Sequence, residues 1–277
     1  MTNIGVIMIF DVTPYHIFQT KKDKLIKLLL DVDTGIDDAL ALFYLAEAQK
    51  KGEIEILGST TVGGNVEVSQ TTLNTLKIWE MLELDIPVAS GAKQPLMVPL
   101  NPAPYVHGDD GLGNTFLPPP KKLPAKESAA EMILRLSHEY AGELTLLTTA
   151  PLTNIAVALL QDPDLAKRLR KVVIMGGAVF TGNVTAVAEA NIANDPEAAR
   201  IVFRSGMEMT LIGLDVTHEV YWEEQDLQEL VKINNERSAF LLQIIGFIST
   251  AYENLSGWKR CVLHDPLAAG VCLFPDL

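Results

Sequence analysis

Basic residues are scarce in this chain: 22 Lys and Arg stand against 35 Asp and Glu, a formal net charge of −13 at pH 7. A surface this acidic repels phosphate backbones and anionic head groups, and the densest basic cluster, Lys21, Lys22 and Lys24, is short. Nucleic acid and membrane surfaces are therefore excluded as partners. Long apolar runs are missing too: the longest, residues 4–10 and 39–46, fall far short of the roughly 20 residues that cross a bilayer. Cysteine is limited to Cys261 and Cys272, which rules out a disulfide framework and suits a reducing compartment, so a cytoplasmic location is expected. Both cysteines read as small core residues. The apolar patch at 4–10 has neither a basic residue ahead of it nor a small-residue cleavage pattern, so it does not read as a secretory leader. Residues 1–24 are an N-terminal extension, either an extra edge strand or an accident of the start site.

What is present is a core: 48% of the 277 residues are hydrophobic. The length allows two domains, yet no Gly/Ser linker, charge block or repeat divides the chain, and residues 25–277 read as a single α/β domain. Short apolar runs at 26–30, 54–60, 144–148, 172–175 and 209–214 have the character of buried parallel strands. Helical segments separate them at 37–50, 66–83, 126–140, 152–160, 195–204 and 223–254, the last with a break near Asn234. The alternation predicts a mainly parallel sheet with helices on both faces and ligands at the carboxyl ends of its strands. Nine of the 15 prolines fall between Pro87 and Pro124, so that stretch is read as loop. A connection so long is either functional or a solvated insertion; with His107, Gly108, Asp109, Asp110 and Gly111 inside it, it reads as a cover over a site.

The densest chemistry lies in Asp31, Val32, Asp33, Thr34, Gly35, Ile36, Asp37, Asp38, Ala39. Four carboxylates occupy eight residues where a buried strand ends, a glycine turn follows and a helix begins. One Asp at a helix start is ordinary, since the backbone dipole stabilises it. Four are costly unless a positive group neutralises them, and no Lys or Arg lies in the stretch. An all-oxygen donor set favours a hard cation, Ca²⁺ or Mg²⁺. An EF-hand fails, because counting twelve from Asp31 or Asp33 reaches Leu42 or Tyr44 rather than a bidentate Glu. The strand and Asp-x-Asp pair look like the haloacid-dehalogenase type of phosphohydrolase, but Gly35 stands where that family carries Thr or Val, and the Asp37–Asp38 continuation is unlike it.

A wider match covers residues 25–277. The D-x-D-x-G-x-D-D-A stretch, together with V-G-G-N-V at 62–66, T-A-P-L-T-N-I-A at 149–156, V-V-I-M-G-G at 172–177, the 182–196 segment and H-D-P-L at 264–267, resembles the inosine-uridine type of ribonucleoside hydrolase. The resemblance implies hydrolysis of the N-glycosidic bond of ribonucleosides, with Asp33, Asp38, Asp265 and the Thr149 carbonyl binding one Ca²⁺ and Asp33 taking the proton from the attacking water. It also implies that Asp37, Asn65, Asn183, Glu189 and Asn191 hold the ribose hydroxyls, that Met175 packs on the sugar, and that His264 protonates the leaving base. His107 lies within reach of the base. Tyr221, Trp222, Tyr252 and Trp258 are candidates for stacking on it, with core packing the default for each, and His16, His138 and His218 are assigned to structure. With no cationic clamp among the motifs, nucleosides are expected over nucleotides. A homo-oligomer, dimer or tetramer, follows from the family. A metal-dependent phosphohydrolase or a non-catalytic calcium- and nucleoside-binding module are the alternatives. Because the chain ends twelve residues after Asp265, where relatives continue, a shortened C-terminus is expected.

Overall fold

Six parallel strands form one sheet in the order β3–β2–β1–β4–β5–β6: β1 Ile26–Val32, β2 Ile54–Thr61, β3 Val88–Ser90, β4 Leu144–Thr148, β5 Lys171–Met175 and β6 Met209–Ile212. The computed structural model describes residues 25–274 and 277; the expected extension at 1–24, with His16, lies outside them. The chain winds outward from β1 through β2 to β3, then returns to the other flank of β1 with β4 and continues to β6. The winding reverses between β1 and β4, whose pairing runs out at Asp31 and Thr148. Open α/β sheets bind ligands in the crevice beyond such a reversal.

Both faces of the sheet are covered. Along β1, Leu28 and Leu30 join one apolar cluster and Leu29 the other, the period of two that a strand imposes when neither side meets water. The main helices are α1 Ile36–Lys50, α2 Val68–Met81, α3 Ala129–Glu139, α4 Thr153–Gln161, α5 Pro196–Phe203, α6 Glu236–Ser256 and α7 His264–Leu273. The apolar run inside α1 is buried on nearly every side because α2, α6 and α7 all pack on this helix. Among the described residues, no helix is long and apolar enough to cross a membrane. Cys261 and Cys272 are free and buried.

Two expectations need correction, and one element was not expected. The proline-rich stretch contains a strand, β3, which pairs with Ser59–Thr61; three residues are too short to show a period. The helical region expected at 223–254 is a 3₁₀ turn, a short helix Gln228–Ile233 and then α6. The break falls where it was expected, at Asn234, whose φ of 47° is left-handed, and at Asn235, whose side chain accepts from the Ser238 N–H. Finally, a small antiparallel pair, β7 Tyr221–Trp222 with β8 Cys261–Val262, stands beside the main sheet and leads into α7.

Candidate active site

Strand β1 and helices α1 and α7 deliver the acids. Asp31 and Asp33 leave the end of β1, Asp37 and Asp38 occupy the first turn of α1, and Asp265 the first turn of α7. The positive ends of two helix dipoles therefore meet at one place, which favours negative charge there. All five carboxylates are buried, with Asp31 and Asp38 0% exposed and Asp265 2%. Carboxylate oxygens of Asp37, Asp38 and Asp265 lie within 4.8 Å of one another, a grouping that could hold a metal ion. Asp33 is outside that tightest grouping, although its charge acts on Asp265.

Local hydrogen bonds fix three of the acids. Asp38 accepts from the Gly35 N–H at 2.9 Å, the Thr149 hydroxyl at 2.7 Å and the Asn65 side chain at 3.2 Å. Asp33 Oδ2 accepts from the Asn65 N–H at 2.7 Å. Asp31 turns beneath the sheet edge and accepts from the Thr60 hydroxyl at 2.6 Å and Asn154 Nδ2 at 2.7 Å. The second oxygen of Asp31 and the Oδ1 atoms of Asp33 and Asp37 are buried without a partner.

Burial raises every one of these carboxyls. Asp31 and Asp37 are pushed up to about 6, and Asp38 to about 7 by burial and then by the neighbouring Asp37. Asp33 is raised well above its ordinary value by burial and by Asp38, and Asp265 by burial and by Asp37. Such shifts mark negative charge without a counter-ion. Among the described residues the nearest candidate is His107, whose Nδ1 is 3.8 Å from Asp37. That nitrogen accepts the Ile36 N–H at 3.1 Å, and burial lowers the ring to about 4, so His107 is neutral and supplies no cation. Orphaned hard oxygens, no basic partner and converging helix dipoles fit a divalent cation.

Around this cluster, Asn191 Nδ2 donates to the Thr149 carbonyl at 2.9 Å and to that of Met175 at 3.2 Å, orienting the oxygen expected among the ligands. Glu189 is held by the N–H groups of Gly177, Asn191 and Ile192, and burial still raises its carboxyl. Asn183 is not gathered in: it lies on an exposed loop, and its side chain accepts from Ala190 N–H. His264 is buried between Thr217 and Tyr252, each 2.7 Å from one ring nitrogen. Burial, and then His218, lower it to about 3, so the ring is neutral. His218, assigned to structure from the sequence, meets His264 edge-on with centroids 5.6 Å apart. Thr217 escaped sequence reasoning, and Asn154 was visible only as a letter of the 149–156 motif, because nothing in spacing links them to His264 and Asp31, 47 and 123 positions away.

The family of inosine-uridine preferring nucleoside hydrolases matches residues 28–277. A uridine nucleosidase of Arabidopsis thaliana is 40% identical over 255 residues, covering 91% of this chain and 75% of that protein. The pyrimidine-specific ribonucleoside hydrolase RihA of Salmonella typhimurium is 37% identical over 252 residues, covering 90% and 80%. Two solved structures superpose closely. A plant nucleoside hydrolase gives a TM-score of 0.87 at 36% identity, covering 92% of this chain and 80% of that one. A purine-preferring ribonucleoside hydrolase of Gardnerella vaginalis gives 0.86 at 36%, covering 91% and 81%.

Proposed function

Because the chain belongs to the inosine-uridine preferring nucleoside hydrolase family, and so hydrolyses the N-glycosidic bond of ribonucleosides, we propose that it prefers pyrimidine ribonucleosides and works with one Ca²⁺ held by Asp33, Asp38, Asp265 and the Thr149 carbonyl. The observation that carries this reading is the convergence of buried, unneutralised carboxylates from β1, α1 and α7 at the switch between β1 and β4. An all-oxygen set of carboxylates and a carbonyl leaves room in a calcium shell for water and a sugar diol. Bound there, the ion would acidify a coordinated water and hold the ribose hydroxyls.

Asp33 takes the proton of the attacking water. Its Oδ2 is tied to Asn65, which leaves the unpartnered Oδ1 to receive it. Asp37, Asn65, Glu189 and Asn191 hold the ribose hydroxyls and Met175 packs on the sugar; Asn183 joins them only if its exposed loop swings inward and its bond to Ala190 is given up. As the C1′–N bond lengthens, positive charge grows on the ribose, and the surrounding carboxylates stabilise it. On the base side the departing base takes its proton from Tyr252, whose hydroxyl meets Nε2 of the neutral His264 at 2.7 Å, and solvent returns the proton to the Tyr252–His264 pair after the base has left. His107 borders the base from the proline-rich segment, which it pins to the start of α1. Assembly into a dimer or tetramer belongs to the same reading; light scattering that finds only monomer would remove it.

A ribonucleoside panel assayed for released ribose tests the substrate class, with uridine expected to exceed inosine and uridine monophosphate. Equal efficiency on nucleoside and nucleotide would refute the preference. Asp33→Asn should abolish turnover while the melting temperature stays near the parent value; undiminished hydrolysis would overturn the assignment of the base.

A further inference from the structure

Helix α2 turns a polar face into the interior. Thr71, Asn74 and Thr75 follow the three- and four-residue spacing of a single helix face, and all three are fully buried. Buried amides and hydroxyls are costly unless they are bonded, so the partners they reach decide what the face does. Asn74 Nδ2 donates to the Thr34 carbonyl at 3.1 Å and to the Asp110 carbonyl at 2.8 Å, while Gln70 donates to Asn74 Oδ1 at 2.8 Å and so fixes which end of the amide is which. Thr34 stands between Asp33 and Gly35, whose N–H holds Asp38. Asp110 belongs to the turn that follows His107. Its carboxylate accepts from the N–H groups of Leu112, Asn114 and Phe116, and the Gly113 N–H donates to the His107 carbonyl, which braces the turn and His107 as one piece. Close approach needs glycine at two points. A Cβ at Gly111, where φ is 75°, would fall 2.8 Å from Asn74 Nδ2, and one at Gly35 would fall 2.5 Å from His107 Nδ1.

We propose that Asn74 is a positioning residue: its one amide nitrogen fixes the spacing between the loop that carries Asp33 and the turn that carries His107, and so holds His107 in place over the carboxylates. The proposal rests on the hydrolase reading above and adds to it a residue that lies in none of the matched motifs. Asn74 touches no substrate and moves no proton. It acts through two backbone carbonyls that belong to neither a helix nor a strand and would otherwise be buried without a donor. Without it, the turn is tied to the carboxylate side only through the Ile36 N–H on His107 Nδ1 and the Ala103 N–H on the Asn65 carbonyl. An imidazole that has to anchor its own loop is then free to shift from the base, and a misplacement of about 1 Å at a reacting centre costs about a hundredfold in rate.

A mutant cycle separates positioning from plain support of the helix. Asn74→Ala removes both bonds. Thr72→Val, on the same helix, removes a buried hydroxyl that meets only Thr61, Ser90 and its own helix, and so controls for weakening α2. Gly111→Ala presses on Asn74 from the side of the turn and leaves α2 intact, a second probe should Asn74→Ala not fold. Melting temperature and kinetics on uridine are measured for each. Asn74→Ala and Gly111→Ala should lose about ten- to hundredfold in kcat/KM, and Thr72→Val no more than about twofold at a comparable fall in melting temperature. In a His107→Ala background Asn74→Ala should cost no more than about threefold further, because the two residues act as one unit. Nitrogen NMR of labelled histidine reads the geometry directly: His107 Nδ1 accepts from Ile36, so the proton of the neutral ring is fixed on Nε2, and Asn74→Ala should average the two tautomers. Losses that multiply fully with His107→Ala, equal losses in Asn74→Ala and Thr72→Val, or an unchanged His107 signal would overturn the proposal while leaving the hydrolase reading intact. A wild type that cleaves no nucleoside would overturn the hydrolase reading, and the His107 signal would still decide whether Asn74 holds the turn.

Discussion

Asp33 owes its position to a glycine. A Cβ at Gly64 would fall 1.9 Å from Asp33 Oδ2 and 2.7 Å from its Cγ, so any side chain there must displace the carboxylate. The backbone at Gly64 is not in the left-handed region, so the penalty is contact alone and lands on the site rather than on the fold. Gly64→Ala should therefore reduce kcat by about a hundredfold, as a displacement of about 1 Å of a reacting group does. Its melting temperature should stay within a few degrees of the parent, and steady-state kinetics beside calorimetry checks the pair. The V-G-G-N-V motif made Gly64 and Asn65 visible as a signature, but not the reason for the glycine, which is a contact across 31 residues of sequence. Asp31 is the converse. The sequence presented it as one more acid in the cluster, whereas the fold turns it under the sheet edge toward Thr60 and Asn154.

Helix starts in this chain double as fasteners. Asp195 Oδ1 caps α5 by accepting from the Ala198 N–H at 3.0 Å. Its Oδ2 accepts from the Thr153 hydroxyl at 2.7 Å and the Leu96 N–H at 2.9 Å, binding α4, α5 and the proline-rich segment together. Asp195→Ala removes a cap and leaves the buried Thr153 hydroxyl and the half-buried Leu96 N–H unpaired, and should cost about 2–4 kcal/mol in urea unfolding. A loss below about 0.5 kcal/mol would show that these bonds are redundant. The start of α5 was readable from Asp195-Pro196, and the start of α3 is Ser128 with Glu131 reaching back to its N–H at 2.7 Å. Strand β3 and the β7–β8 pair were not readable. Elements of two or three residues carry no period, and they exist because a neighbouring strand supplies their hydrogen bonds.

For the molecule as a whole, the buried acids make stability depend on pH and on cations. In the metal-free protein Asp31 and Asp37 titrate near 6 and Asp38 near 7, above the value of about 3.9 in an unfolded chain. The folded state holds these protons more tightly. Their contribution to stability is thus fully present below the unfolded value and is lost as pH rises through 6 and 7. His107 and His264 are depressed and act oppositely, but only as pH falls below about 6.5, where the unfolded imidazoles begin to charge. Between pH 8 and pH 6.5 the carboxylates act alone, so the melting temperature of chelator-treated protein should rise as the pH is lowered across that range. Calcium should flatten or reverse the trend and, at about a hundred times its Kd, add about 2.7 kcal/mol at neutral pH. Differential scanning calorimetry with and without chelator measures both; a metal-free protein most stable at pH 8 would refute the first.

Hydrophobic period and the motifs at strand ends are local properties, and they were enough to state a parallel α/β sheet, its five longer strands and the family of chemistry at its edge. Which acids meet depends on something else. Asp38 and Asp265 stand 227 residues apart and come together because α7 packs along α1 and starts beside the same crevice. The pairing of His264 with Thr217 and Tyr252, and the burial that keeps its ring neutral, likewise arise only when distant segments close on one another. Desolvation and the direction of a side chain are set by whatever packs around it, and a linear chain does not yet contain those neighbours.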